Sequence, residues 1–285
     1  MLGKTRQSFS HELVSLACVS LFGFLLMGMG GSNMDVSTLD KQIRSNDGLA
    51  RETARNLGAA ALPTVMSHVK SPSADERVLA LECLAAIGGE SVPVVLVEAL
   101  KDSEIDVRST SLRELLGMPV RNQNPQLTAL LSGSQDALVR GGAATLLRRA
   151  GARESLNAIV AQRDRESDED ARQRMTNAAA GLGDKASREQ ILNRLASPTP
   201  RVRYLAIADL EDAGEAAQLP HLVPLLQDDA KVKNVGIEQW PVWHRVCDRA
   251  VEAIVTLSGH PVSFSLGPKN YSAAEIQEAK AIASH

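Results

Sequence analysis

The chain has 285 residues, 44% of them hydrophobic but only 3% aromatic, and a formal net charge of −3. A slightly acidic chain has no bulk attraction for nucleic acid or anionic lipid, so neither is expected as a partner. No aromatic residue lies between positions 31 and 203, so a core there must be built from Ala, Leu, Val and Ile, which suits closely packed helices and excludes a β-sandwich.

At the N-terminus, Lys4 and Arg6 precede an apolar run from Leu13 to Met27 and then a Gly/Ser-rich stretch, the layout of a secretory signal peptide. The run of 15 residues is shorter than the roughly 20 that span a bilayer. Gly28 and Gly30 fit a small-x-small cleavage site, so residues 1–30 are expected to be removed on export, an uncleaved membrane anchor being the alternative. Cys18 sits in the middle of the run with Ser15 three residues before it, which is not a lipoprotein acceptor pattern. The mature chain then carries 29 basic and 33 acidic residues and two cysteines, Cys83 and Cys247. Residues 31–39 read as a flexible linker.

From residue 40 onward the sequence repeats itself. In "VRGGAATLLRRAG", beginning at Val139, the apolar or small places fall at offsets zero, four, eight and eleven, with arginine at one and glycine at twelve. Ungapped copies begin at Glu76, Val107, Ala171 and Val202, and their arginines, Arg77, Arg108, Arg140, Arg172 and Arg203, are spaced by 31, 32, 32 and 31. Divergent copies flank these five: Ala50, Ala54, Leu57 and Gly58 on one side, with Asp47 at the arginine place, and Val246, Ala250, Ile254 and Leu257 on the other, with Cys247 there. At 100° per residue the four apolar offsets cover about 80° of arc, so each copy opens with one amphipathic helix. Gly88, Gly151, Gly183 and Gly214 stand where that helix must close. A second apolar stretch follows most copies, and Pro63, Pro93 and Pro220 are expected in its first turn. One helical hairpin cannot bury its own stripe, so hairpins must stack into a solenoid.

The copies resemble HEAT-like repeats of the short type first associated with phycobilisome lyases, whose pattern is an acidic start followed by V-R-x-x-A-x-x-x-L-x-x-I-G; "DERVLALECLAAIGG", Asp75 to Gly89, follows it nearly throughout. The resemblance covers about residues 40 to 260 and implies an all-α HEAT-like solenoid of about seven hairpin repeats. Lyase subunits, a metal hydroxylase and many binding scaffolds share this repeat class, so it fixes fold and not function. The hydroxylase relatives carry repeated His-Glu pairs on their helices, whereas the only His-Glu here is His11 and Glu12, inside the signal.

The arginine at offset one falls just outside the apolar arc, so its stem covers core while its head reaches an acid at a neighbouring helix start. Arg77, Arg108, Arg140, Arg172 and Arg203 are therefore expected to form a structural ladder, with Asp75, Asp106, Asp136 and Asp170 as partners. "DRESDEDAR" alternates Asp164, Glu166, Asp168 and Asp170 as a calcium loop begins, but Glu169 and Met175 occupy the places that need Gly and Glu, so an inter-repeat loop is expected. "HRVCD" offers His244, Cys247 and Asp248 without a second cysteine to complete a zinc pattern. No metal, cofactor or catalytic residue is assigned.

The step from Arg203 to Cys247 is 44, and the insertion carries both tryptophans in "KNVGIEQWPVWHR". These either cap the last repeat or meet a partner, which makes Trp240, Trp243 and His244 the partner-binding candidates. After Gly259 an irregular stretch leads to a capping box, Ser272 and Glu275, and a last helix; residues 261–285 read as a lid. Cys83 and Cys247, in the second and seventh copies, are too far apart to bond. The expectation is an exported, non-catalytic scaffold that binds a protein or peptide, touching membrane only through an uncleaved N-terminus. The alternatives are a lyase-type accessory subunit or enzyme holding a small prosthetic group, and an anchored envelope-structure protein.

Overall fold

The computed structural model describes residues 35–120, 122–234 and 242–284. In chain order they form α1 (Val36–Arg44), α2 (Ala50–Leu57), α3 (Leu62–His68), α4 (Ala74–Ile87), α5 (Val92–Ala99), α6 (Ile105–Leu116), α7 (Asn124–Gly133), α8 (Ala137–Arg149), α9 (Leu156–Arg163), α10 (Glu169–Leu182), α11 (Lys185–Leu195), α12 (Pro200–Ala213), β1 (Lys231–Asn234), β2 (Trp243–Arg245), α13 (Val246–Ser258) and α14 (Ala273–Ala283). Three 3-10 segments, Gly58–Ala61, Arg153–Ser155 and Ala216–Gln227, complete the regular elements of the described residues. Residues 1–30, the expected signal segment, lie outside them.

The sequence period is the structural period. The expected first helices are α2, α4, α6, α8, α10, α12 and α13, and each packs against the one before and the one after it. Their second helices, α3, α5, α7, α9 and α11, pack against the first helix of the following hairpin, α4, α6, α8, α10 and α12 in turn. The apolar offsets are the buried ones: Val139, Ala143 and Leu147 in α8, Ala171, Met175 and Ala179 in α10, and Val246, Ala250 and Ile254 in α13. Small residues at the middle offset let neighbouring helices approach closely, which is how a core almost without rings is filled.

Helix boundaries follow local chemistry. Asp168 caps α10 by accepting the Ala171 N–H at 2.8 Å, and Ser73 does the same for α4 through Glu76 N–H at 3.4 Å. Gly183 and Gly214 end α10 and α12 in the left-handed region, at φ 110° and 75°, where a side chain is disfavoured. In the seventh copy closure comes one residue late, on Gly259.

Two expectations are corrected. Helix α1 begins at Val36 with Leu39 fully buried, so residues 36–39 belong to the stack and not to a linker: their apolar face docks on α2 and α3. Pro220 does not open an α-helix. With Pro224 it stands inside the 3-10 segment Ala216–Gln227, because two prolines four apart remove N–H donors and crowd the carbonyls an α-helix needs. The insertion before the seventh copy, for which the sequence suggested no regular structure, returns as an antiparallel pair, β1 with β2, with Lys233 opposite His244.

The core falls into two clusters. One runs from Leu39 to Leu182 and the other from Ala180 to Ala283, and they meet on the alanines of α10. The far end of the second is closed by Tyr271, Ala279 and Ala283. The capping box that starts α14 is formed, with Ser272 N–H on Glu275 at 2.7 Å and Glu275 N–H on Ser272 at 3.4 Å. Among the described residues no helix is long and apolar enough to cross a membrane.

Candidate partner-binding surface

Along one edge of the stack the repeated arginines form rungs. Arg77 meets Asp102 through Nε and Nη2, both at 2.8 Å; Arg108 meets Asp136 at 2.6 Å; Arg140 meets Glu166 at 2.6 and 2.7 Å; Arg203 meets Asp228 at 2.6 Å. The remaining nitrogen, Nη1, donates to the carbonyl six residues earlier: Ser71, Asp102, Ser134 and Ser197 for the four arginines in turn. Each carboxylate also accepts the N–H two residues ahead, as Asp102 does from Glu104 and Glu166 from Asp168. One arginine thus joins its own loop to the loop before the next repeat. Hydrogen bonds from Arg140 hold the Glu166 carboxyl well down, at about 2, against the opposing effect of burial.

The ladder exists, but its acids are not those expected. Only Asp136 of the anticipated partners takes part; Asp75, Asp106 and Asp170 are exposed in the first turns of their helices. The guanidinium points away from its own helix start and across to the loop 25 to 28 residues on, as in the pairs with Asp102 and Asp136. The recurrence of Asp102, Asp136, Glu166 and Asp228 at that distance was the signal available in the sequence. Arg172 makes no rung: its guanidinium is exposed and has no ion pair among the described residues. The alternating acids before it are otherwise engaged, Glu166 by Arg140, Asp164 by Arg163 and Asp168 as a cap.

Between successive loops and second helices the edge opens into grooves. One, of about 440 Å3, is lined by Met66, Val69, Val94 and Val95; the next, of about 770 Å3, by Leu100, Ile105, Leu130 and the Arg108–Asp136 rung. Both include Lys101 and Asp102, so they adjoin. Met66, Val94 and Ile105 are 36%, 55% and 58% exposed, which places large apolar side chains from consecutive repeats along one path. Sequence reading did not single these out, since scattered exposed apolar residues are ordinary and only their alignment is informative.

The C-terminal end arranges its candidates differently from expectation. Trp240 lies outside the described residues. Trp243 projects outward from β2, 44% exposed, and its carbonyl accepts a hydrogen bond from Asn270. His244, one residue on, points inward, because alternate strand residues face opposite sides. It is buried, edge-on to Tyr204, whose hydroxyl is 2.9 Å from Nδ1, so its side chain is not a surface for a partner. Nε2 makes no hydrogen bond, and Glu252 Oε1 lies 3.5 Å from it. Burial moves the His244 pKa down and the Glu252 pKa up, the latter against the Arg249 guanidinium 3.3 Å from Glu252 Oε2. Asp248, fully buried, is held by Arg245, Asn270 and the Tyr271 N–H, and thereby ties α13 to the segment leading into α14. Cys247 is buried and free, as is Cys83 in the other core cluster.

Residues 156–238 match the family model for HEAT repeats. Among solved structures, the complex of CpcE and CpcF of phycocyanin lyase from Nostoc sp. PCC7120 is similar over 90% of this chain and 96% of that one, with a TM-score of 0.54 and 17% identity. An engineered protein matches over 87% and 71% of the two chains with a TM-score of 0.37 and 19% identity. Human deoxyhypusine hydroxylase in complex with glycerol matches over 87% and 94% with a TM-score of 0.35 and 15% identity. No curated protein matches in sequence. At such identities the first likeness is one of fold, a helical solenoid.

Proposed function

We propose that this chain, a HEAT-like repeat protein, is a non-catalytic scaffold that docks a protein or peptide partner. The observation that carries the reading is the pair of adjoining grooves that set Met66, Val94 and Ile105 side by side across neighbouring repeats. An extended apolar path suits a chain of residues better than a compact molecule. That a similar fold occurs in the CpcE and CpcF complex supports a protein partner. The reading includes export, supported by the basic start and apolar run ahead of Gly30.

The test places a photo-crosslinking side chain at Val94, at Ile105, and at Leu49, another exposed apolar position. One partner captured at Val94 and Ile105 and absent at Leu49 is expected. Val94→Glu with Ile105→Glu should abolish its binding without lowering Tm; retained binding rejects the groove. The intact mass of the native protein tests export, a start at Gly31 being expected and a start at Met1 meaning an anchor.

The second reading, a lyase-type accessory subunit holding a small prosthetic group, draws on the size and apolar lining of the 770 Å3 groove and on the same fold likeness. A bound organic group retained in native mass spectrometry of the purified protein would favour it over the scaffold.

A further inference from the structure

Of the five arginines on the beat, Arg172 alone lacks a carboxylate among the described residues. The loop that should supply one keeps everything else. Ser197 stands six residues before Arg203, as Asp102 stands before Arg108 and Glu166 before Arg172. The Ser197 carbonyl accepts Nη1 of Arg203 at 2.7 Å, as the Asp102 carbonyl accepts Nη1 of Arg108 at 2.8 Å. Its hydroxyl accepts the Thr199 N–H at 3.3 Å, where the Asp102 carboxylate accepts the Glu104 N–H at 2.9 Å. The turn is preserved and the charge is removed.

The unpaired guanidinium opens on a cavity of about 740 Å3 that also contains Thr176, Gln190 and the half-exposed Leu205. The other guanidiniums on its wall are taken, Arg163 by Asp164 and Asp184 and Arg194 by Asp209. Glu169 lines the cavity one turn earlier on α10 and forms no ion pair with Arg172 among the described residues.

We infer that Arg172 is the docking point for an acidic side chain of the partner, whose Asp or Glu carboxylate completes the rung that Ser197 leaves unmade. The four filled rungs show what this position receives: a carboxylate against the planar fork of a guanidinium. Leu205 beside it offers apolar contact to a neighbouring residue of the same segment. This rests on the scaffold reading and names the chemistry of its partner.

The experiment selects a random dodecapeptide phage library on the intact chain. Selected peptides are expected to share an Asp or Glu next to an apolar residue. A synthetic peptide from that set should lose affinity about tenfold or more when its acid becomes the amide, when Arg172→Ala is introduced, and when Ser197→Asp fills the rung from within. Ser197→Asp should raise Tm and Arg172→Ala should leave it unchanged, so neither loss can be ascribed to unfolding. Peptides that bind but ignore all three changes overturn the inference and leave the scaffold standing. A library without binders overturns both.

Discussion

A guanidinium carries five N–H donors in a rigid fork, and the filled rungs use two sides of it: Arg140 grips Glu166 with Nε and Nη2 and the Ser134 carbonyl with Nη1. Arg140→Ala removes all three and should cost about 1.5–3 kcal/mol in urea unfolding, as expected for hydrogen bonds to charged groups, while Arg172→Ala should stay within about 0.5 kcal/mol. The same rung gives a pH signature. Glu166 has its pKa lowered from 4.5 to about 2 on folding, chiefly by Arg140, so its contribution is whole above pH 4.5 and is lost as pH falls toward 2. Acid titration of Tm should fall through that window, and Glu166→Gln should flatten this share of the fall; an unchanged profile would mean the rung carries no linkage. The two described cysteines behave oppositely to reactive thiols. Burial pushes both Cys83 and Cys247 up to about 12, so neither is thiolate near pH 8. A disulfide reagent should label neither in the native protein and both in urea, and rapid native labelling would contradict their burial.

Helices in this stack approach one another closely enough that single glycines decide the contact. Arg148, at the end of α8, crosses α10 over Gly181 and reaches the C-terminus of α12, with Nη1 3.5 Å from the Ala213 carbonyl and Nη2 3.6 Å from Asp212. A Cβ on Gly181 would lie 2.2 Å from that carbonyl oxygen and 2.7 Å from Arg148 Cδ. Gly181→Ala should therefore force α10 and α12 apart and cost about 1–3 kcal/mol, despite the better helix propensity of alanine. Gly133→Ala at the end of α7, where a Cβ meets nothing within 4 Å, should be neutral or slightly stabilising. Equal Tm values for the two variants would show that the α10–α12 approach is looser than described.

Because each hairpin packs mainly on its neighbours, with Arg148 reaching one repeat further, the stability of the whole is close to a sum of local terms. The two apolar clusters meet at α10, and beside that meeting Asn177 donates to Asp209 at 3.0 Å and to Asp212 at 3.3 Å while Arg194 holds Asp209. Polar contacts across this seam hold less cooperatively than packed apolar ones. Ile254→Ala, in the second cluster, should cost about 2–5 kcal/mol and reduce amide protection in α12, α13 and α14 while leaving α4 and α6 protected. Hydrogen exchange checks this, and a uniform loss along the chain would mean that the two clusters unfold as one.

The sequence by itself determined the solenoid, its seven first helices and its five arginines, because a helix stripe and its phase are local properties that periodicity displays directly. Val139, Ala143 and Leu147 are buried in the structure as their offsets require. Only the tertiary structure decided which acids meet the arginines, that His244 faces inward, that residues 36–39 join the stack, and that Met66, Val94 and Ile105 line adjoining grooves. Those relations join residues on different hairpins, or turn on the direction of a single strand. The rotation and spacing between stacked hairpins set them, and a helical wheel drawn on one copy contains neither quantity.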